Sequence, residues 1–266
     1  MREDEIMVED AIKLVQEANK KGVYLRLLGA IGIRINAFRH EDLFVKLNRL
    51  NSKRKFTDID LAAYSSQRSE VRKILEEHGC KVDPHFLLLH GTSRMLSYNS
   101  EKNYTVDVFF DKLQFSHDVS FGSNPKNGRL NLNPLTLSPT DLALEKLQIH
   151  EINEKDIKDL ILLFTANAVG DRDFDNMING KYIAQVLADD WEFWYDVNIN
   201  LKKISSFLEK YVNDKLIDSN VRNFVYEKIE TLKNLIDEEP KTKKWEKRNK
   251  VGPNKKWWRD VEIRIR

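Results

Sequence analysis

The sequence predicts an α+β fold in which a mixed sheet with flanking helices is followed by a helical C-terminal part. Short β-prone runs alternate with helical patterns up to residue 137, whereas long helical patterns follow one another from residue 138. The end of the chain differs again, because residues 240–266 hold 11 Lys and Arg against 3 Asp and Glu, a net charge of +8. We therefore expect three parts: residues 1–137, 138–239 and 240–266.

The first part alternates helices and strands. Its predicted elements, in chain order, are helix 4–22, strand 23–29, helix 30–38, strand 56–64, helix 65–79 and hairpin 93–111. The helix at 65–79 has the clearest boundaries, with Ser65 or Ser66 as its N-cap and Gly79 after its last turn. The hairpin is predicted from two β-prone runs on either side of a polar turn at residues 99–103. Residues 40–55 favour neither element.

The second part reads as helices only. Ser138 and Pro139 predict a helix start, since Ser is a good N-cap and Pro suits the first helical position. Helical patterns then cover residues 138–164, 181–212 with one break, and 218–239. Between them, residues 171–181 begin like a calcium-binding loop but lack its glycine and its final glutamate. We therefore interpret this stretch as an acidic loop between helices.

Composition argues for a cytoplasmic protein. The single cysteine, Cys80, excludes an internal disulfide and favours a reducing compartment. The first ten residues are acidic and lack the apolar stretch of a signal peptide. The longest purely apolar run, residues 160–164, is far too short to cross a membrane. We expect no membrane association.

Three aspartates stand in otherwise apolar strands. Asp58 and Asp60 are two residues apart, so their side chains share one face of the strand, and Asp107 lies between Val106 and Val108. Asp58 and Asp60 alone would suit a solvated strand face. A lone acid in a buried strand is costly unless it is paired or bound to a metal, however, and grouped carboxylates suit Mg²⁺ or Mn²⁺. By contrast, Asp111 at the strand end reads as a turn residue.

The order of these motifs resembles the polymerase-β-like nucleotidyltransferase superfamily. That pattern runs from a hydrophobic–Gly–Gly/Ser turn, through an Asp–hydrophobic–Asp/Glu strand, to a later strand with a single Asp. Here the three motifs read LLGA at 27–30, TDIDL at 57–61 and TVDVF at 105–109. The chain is most similar to an uncharacterised prokaryotic group near the AbiEii-like, toxin-type transferases, whose recurrent residues Arg54, Lys146–Leu147 and Lys155–Asp156 match. The resemblance covers residues 23–164.

The resemblance implies a metal-dependent enzyme that transfers a nucleoside monophosphate from an NTP to a hydroxyl acceptor. Asp58 and Asp60 would bridge two Mg²⁺ or Mn²⁺ ions, and Asp107 would complete the acceptor-side ion. The candidate nucleotide-binding residues are Gly29, Ala30, Arg34, Arg54 and Lys146. The implied partners are an NTP such as ATP, an RNA or protein acceptor, and a cognate antitoxin.

Several readings stay open beside this one. Ala30 replaces the second Gly or Ser of the turn, and 29 positions separate Gly29 from Asp58. A catalytically inactive nucleotide- or RNA-binding module is therefore the alternative. Lys146 could equally be a helix-surface lysine, and Asp156 a salt-bridge partner. The basic tail either contacts nucleic acid through its cations and tryptophans or docks on the body, where residues 260–266 would form a closing strand.

Overall fold

The structure, a computed structural model, describes residues 3–49, 56, 58–174 and 176–260. Within these residues the protein is α+β and 56% helical, with a mixed sheet of five strands and flanking helices. The predicted fold class is confirmed at that level.

The chain divides into two compact units. The first contains Met1–Asn36, Leu50–Leu113 and Ser120–Ser138. The second contains Ala37–Arg49, Gln114–Val119 and Pro139–Arg266. Both units are therefore discontinuous in sequence, and the basic segment from residue 240 belongs to the second.

In chain order the described helices and strands are α1 (Glu3–Lys20), β1 (Leu25–Leu27), α2 (Gly29–Asn36), α3 (Glu41–Lys46), β2 (Asp58–Ala63), α4 (Arg68–Glu77), β3 (Lys81–Val82), α5 (Pro84–His90), β4 (Arg94–Asn99), β5 (Tyr104–Phe110), β6 (Lys112–Gln114), β7 (Asp118–Ser120), α6 (Pro139–Leu147), α7 (Glu154–Ala166), β8 (Ala168–Gly170), β9 (Met177–Asn179), α8 (Gly180–Asp189), α9 (Trp191–Asn213), α10 (Ser219–Glu238) and α11 (Lys243–Asn249).

The sheet of the first unit has the strand order β1-β2-β5-β4-β3. β2 and β5 run parallel at its centre, and every other pair is antiparallel. The predicted hairpin is confirmed as β4 and β5. On β1, the backbone of Leu27 also exchanges hydrogen bonds with residues 135 and 137, so the chain returns to this edge before the second unit begins.

The two faces of the central strands differ sharply. On one face Ile59, Leu61, Val106 and Val108 are fully buried and form the core. On the opposite face the same strands carry Asp58, Asp60 and Asp107. Because side chains alternate along a strand, burial of the apolar set fixes the carboxylates on the other face.

Helix α4 begins later than the sequence indicates. Ser65–Gln67 form a 3₁₀ turn, and Gln67, whose side chain makes no capping hydrogen bond, is the N-cap. The prediction of Ser65 or Ser66 is therefore wrong. The Ser65 N–H donates instead to Asp111 Oδ1 at 2.8 Å, so a residue distant in sequence determines how the chain enters the helix. Asp111 itself has φ +64°, in keeping with its predicted turn position.

The second unit is mainly helical. Its C-terminal stretch begins with α6 at Pro139, as predicted, and the expected single break in residues 181–212 lies at Asp190, which caps α9. The prediction of an acidic loop over 171–181 is only partly right, because β9 and the first residues of α8 lie within that range. β9 forms a short parallel pair with β8, which the sequence did not predict. Among the described helices, none combines the length and the apolar character needed to cross a bilayer.

Candidate functional site

Gly29 brings the glycine turn against the aspartate strand. It begins α2 with φ +65°, a left-handed conformation that favours glycine. A Cβ at this position would lie 2.6 Å from Asp60 Oδ2, which is closer than side chains tolerate. The Leu28 N–H also donates to the Asp60 carbonyl at 3.0 Å. The first two motifs therefore meet in space, and the absence of a side chain at Gly29 makes the approach feasible.

Asp60 and Asp107 lie side by side. They are directly opposite each other in the parallel pairing of β2 and β5, where neighbouring strands are about 4.8 Å apart. Asp58 is two residues before Asp60 on the same face, opposite Thr105. Asp58 and Asp60 are partly exposed, whereas Asp107 is only 1% exposed. The three predicted carboxylates thus occupy one face of two adjacent strands.

Arg94 binds the most buried of the three carboxylates. Its Nε donates to Asp107 Oδ1 at 2.8 Å, and its second donor, Nη2, contacts Oδ2. This two-point geometry is the strongest form of arginine–carboxylate pairing. The arginine reaches Asp107 from the neighbouring strand β4, where Leu96 stands opposite Asp107.

The carboxylate oxygens of this face are suitable ligands for a divalent cation, but they are not arranged around a common position in this structure. Carboxylate oxygens are the ligands that Mg²⁺ and Mn²⁺ prefer. Within the described residues, however, no group of three or more His, Cys, Asp and Glu side chains is arranged to hold a metal ion. Arg94 contacts both oxygens of Asp107 in this arrangement. Asp58 and Asp60 add two further carboxylates on the same face of the sheet.

The predicted phosphate ligands have different surroundings. Ala30 lies in the first turn of α2, whose N–H groups and dipole favour an anion. Arg34 lies in the last turn of the same helix, with its guanidinium 5.8 Å from the centre of the Phe56 ring. Arg34 lies five positions after Gly29, about 7.5 Å along the helix axis. Arg54 lies outside the described residues.

Lys146 lies in a buried ion network of the second unit. Its Nζ is 3.0 Å from Asp156, 3.4 Å from Asp159 and 3.5 Å from Glu145. Burial by itself lowers the pKa of Lys146, but these three carboxylates outweigh burial and hold the pKa well above its ordinary value. Arg49 joins the network through Nη2, which is 2.8 Å from Asp159 Oδ2. The interpretation of Lys146 as a surface lysine is wrong, and Asp156 is the salt-bridge partner that the alternative reading expected.

The tryptophans of the basic tail contact other residues of the second unit. Trp245 is 9% exposed and meets the Trp194 ring edge-on, and Trp258 stacks on His150 with ring centres 3.8 Å apart. Trp257 Nε1 donates to Asp196 Oδ1 at 2.9 Å. The described part of the tail is therefore docked. Of the predicted closing strand, only Asp260 lies within the described residues.

Asp196 is the centre of a second polar cluster, which the sequence did not reveal. His117 Nε2 lies 2.7 Å from Asp196 Oδ2, and His150 Nδ1 lies 2.9 Å from Oδ1. The two histidines are 33 residues apart in sequence and have no recognisable ligand spacing, so only the fold could join them.

Arg94 could have been found from the sequence. The predicted turn at 99–103 fixes the hairpin register, which pairs Asn99 with Tyr104 and therefore Leu96 with Asp107. Arg94 lies two residues from Leu96 on the same face, a diagonal neighbour within reach of a long side chain. By contrast, nothing local indicated that Arg49 and Asp159 pair across 110 positions.

Comparisons with protein-family models, with curated proteins and with solved structures give no match to this chain. The resemblance to nucleotidyltransferases thus rests on the sequence motifs alone.

Proposed function

We propose that the chain is a metal-dependent nucleotidyltransferase that transfers a nucleoside monophosphate from an NTP to a hydroxyl acceptor and releases pyrophosphate. One observation carries this proposal: Gly29 closely approaches Asp60, while Asp60 lies directly opposite Asp107. Three short motifs that are each weak in sequence therefore share one neighbourhood. A glycine turn at a helix start suits phosphate, and adjacent carboxylates suit divalent cations.

Each residue has a distinct role in this proposal. Asp58 and Asp60 would hold Mg²⁺ or Mn²⁺, which supplies charge stabilisation at the transferred phosphoryl group. The N–H groups of Gly29 and Ala30 would bind phosphate oxygens at the start of α2. Once Asp107 no longer pairs with Arg94, its carboxylate would accept the proton of the acceptor hydroxyl. We assign Lys146 to the ion network of the second unit and no longer to phosphate binding.

The finer description of the fold belongs to the same proposal. We propose that the sheet of the first unit is of nucleotidyltransferase type, because its two parallel central strands carry the second and third motifs. The proposed setting is the cytoplasm, which the single cysteine favours. RNA and protein hydroxyls remain the proposed acceptors, and a cognate antitoxin the proposed partner.

A nucleotide- or RNA-binding module without turnover is the second candidate. Two observations favour it. Ala30 lacks the hydroxyl that a serine would offer to phosphate, and Arg94 engages the carboxylate that turnover requires. Such a module would still bind NTP at the start of α2.

The test is transfer of label from an α-³²P-labelled NTP in the presence of Mg²⁺. Each of the four NTPs is incubated with the protein and a pool of RNA and protein acceptors. We expect label in a larger product, and a rate that falls about 10²–10³-fold in Asp60→Asn, as when one charge-stabilising group is removed from an active site. Asp237→Asn, an exposed aspartate of α10, is the matched control and should retain the full rate.

Two results would count against the proposal in different ways. An unchanged rate in Asp60→Asn would show that the site is assigned to the wrong residues. NTP binding without label transfer, with every nucleotide and acceptor pool, would favour the binding module.

A further inference from the structure

Arg94 has structural support that does not depend on Asp107. Its guanidinium carbon lies 4.6 Å from the centre of the Phe109 ring and 5.6 Å from that of Phe86. Stacking of this kind stabilises a guanidinium over an aromatic face. The Arg94 side chain is also 31% exposed, whereas that of Asp107 is 2% exposed. The arginine can therefore stay near the carboxylates and still reach a ligand from solvent.

The two-point contact leaves Asp107 poorly available to a cation. Both carboxylate oxygens already accept a hydrogen bond from Arg94. The guanidinium also brings a full positive charge to the position where a divalent ion would have to approach. This agrees with the absence of a metal-holding trio among the described residues.

We propose that Arg94 is paired with Asp107 in the resting protein. When a divalent cation binds, Arg94 leaves Asp107 and binds the phosphates of the NTP. This inference rests on the proposed function of the carboxylate face. In the exchange, Asp107 passes from the guanidinium to the cation, and Arg94 passes from a carboxylate to a phosphate. Carboxylate and phosphate both accept the arginine fork at two points, so Arg94 loses no hydrogen bond.

The exchange makes cation and nucleotide binding cooperative. The cation favours the state in which Arg94 has left Asp107, and in that state Arg94 is available to the nucleotide. Each ligand must therefore strengthen the binding of the other by the same factor. A resting protein that holds Asp107 with Arg94 should bind the cation weakly until NTP is present.

The test measures Mn²⁺ binding by electron paramagnetic resonance, with and without a non-hydrolysable NTP. In the wild type we expect the NTP to tighten Mn²⁺ binding by about tenfold, within the usual range of coupling between sites. In Arg94→Gln we expect Mn²⁺, in the absence of NTP, to bind more tightly than it does to the wild type. We expect the NTP to tighten Mn²⁺ binding by a smaller factor in this variant than in the wild type, because only the direct contact between cation and phosphate remains. Arg72→Gln, on the exposed face of α4, is the matched control and should behave as the wild type.

Arg94→Lys extends the test in case Arg94→Gln fails to fold with Asp107 unpaired. Lysine keeps the charge but cannot make the two-point contact, so Mn²⁺ affinity without NTP should lie above that of the wild type. Equal or weaker Mn²⁺ binding in the folded Arg94 variants would overturn the inference, because Arg94 would then merely orient Asp107. Asp60→Asn separates the two claims. If it abolishes Mn²⁺ binding while the Arg94 variants change nothing, only the exchange fails; if it leaves Mn²⁺ binding intact, the proposed site itself fails.

Discussion

Gly29 and Gly22 have almost the same backbone conformation, with φ of +65° and +70°, in different surroundings. A Cβ on Gly29 would meet Asp60 Oδ2 at 2.6 Å, whereas one on Gly22 would meet no atom within 4 Å. The two glycines thus separate the cost of a left-handed backbone from the cost of crowding the carboxylate.

Gly29→Ala and Gly22→Ala should therefore differ in a predictable way. Both place alanine in a left-handed conformation, which costs about 1–2 kcal/mol. Gly29→Ala must also displace Asp60, so we expect its free energy of unfolding to fall by about 1–3 kcal/mol more than that of Gly22→Ala. Urea denaturation of both variants measures the difference. Equal losses in the two variants would mean that Asp60 moves aside at no cost, and that the close approach does not define the site.

At the scale of secondary structure elements, α6 and α7 are joined by buried charges. Lys146 on α6 contacts Asp156 and Asp159 on α7, and Arg49 contacts Asp159 from the segment after α3. Removing one partner of such a network leaves buried charges uncompensated, which is strongly destabilising.

Lys146→Met should destabilise the protein by about 3–5 kcal/mol, because three carboxylates lose their shared cation. Lys155→Met, at an exposed position of α7, should change the free energy of unfolding by less than about 0.5 kcal/mol. Thermal and urea unfolding of both variants give the measurement. A Lys146 variant of full stability that has lost NTP binding would restore the lysine as a phosphate ligand and refute its structural role.

The sequence was most informative where a local pattern determines an element. The strand alternation in TDIDL and TVDVF was enough to predict that the carboxylates share a face, since the alternative would bury them in the core. The hairpin turn was enough to predict β4 and β5. The start of α4 was missed because Asp111 engages Ser65 across 46 positions, a contact without a local signal. The contacts of Lys146 with Asp159 and of Asp196 with His117 were missed for the same reason.

At the scale of the whole molecule, the charge asymmetry of the sequence has a structural counterpart. The basic segment is anchored through its tryptophans, and Arg259 adds a backbone contact to Phe115 and an ion pair with Asp118. Because the indole rings already pack against other side chains, they are less available to stack on nucleic-acid bases. Any nucleic-acid contact of the docked tail should therefore depend mainly on its lysines, and weaken steeply with salt.

The stability of the docked tail should depend on acid pH through Asp196. Burial raises the pKa of Asp196, but hydrogen bonds from His117, Trp257 and His150 outweigh burial and hold the pKa below its ordinary value of 3.8. Folding thus favours the ionised form of the Asp196 side chain. Its contribution is complete above the unfolded-state pKa and is lost as the pH falls through the folded-state pKa.

Asp196→Asn should accordingly lower the free energy of unfolding by about 1–3 kcal/mol at pH 7, with the deficit shrinking below pH 4 or so. The exposed Asp237→Asn variant should follow the wild type across the same range. Urea denaturation at a series of pH values from 7 to 3 measures both. A deficit that fails to shrink as the pH is lowered through the range in which carboxylates are protonated would show that the ionised form of Asp196 is not the stabilising one.

Anomalous diffraction from crystals grown with MnCl₂ and a non-hydrolysable NTP tests the central proposal most directly. We expect Mn²⁺ peaks within coordination distance, about 2.1 Å, of oxygens of Asp58 and Asp60, with the phosphates beside the start of α2. We also expect Asp107 to coordinate the metal and to have lost its contact with Arg94. A map with bound nucleotide whose Mn²⁺ peaks lie away from these carboxylates, or that has no such peaks, would contradict the assignment of this face as a nucleotidyltransferase site.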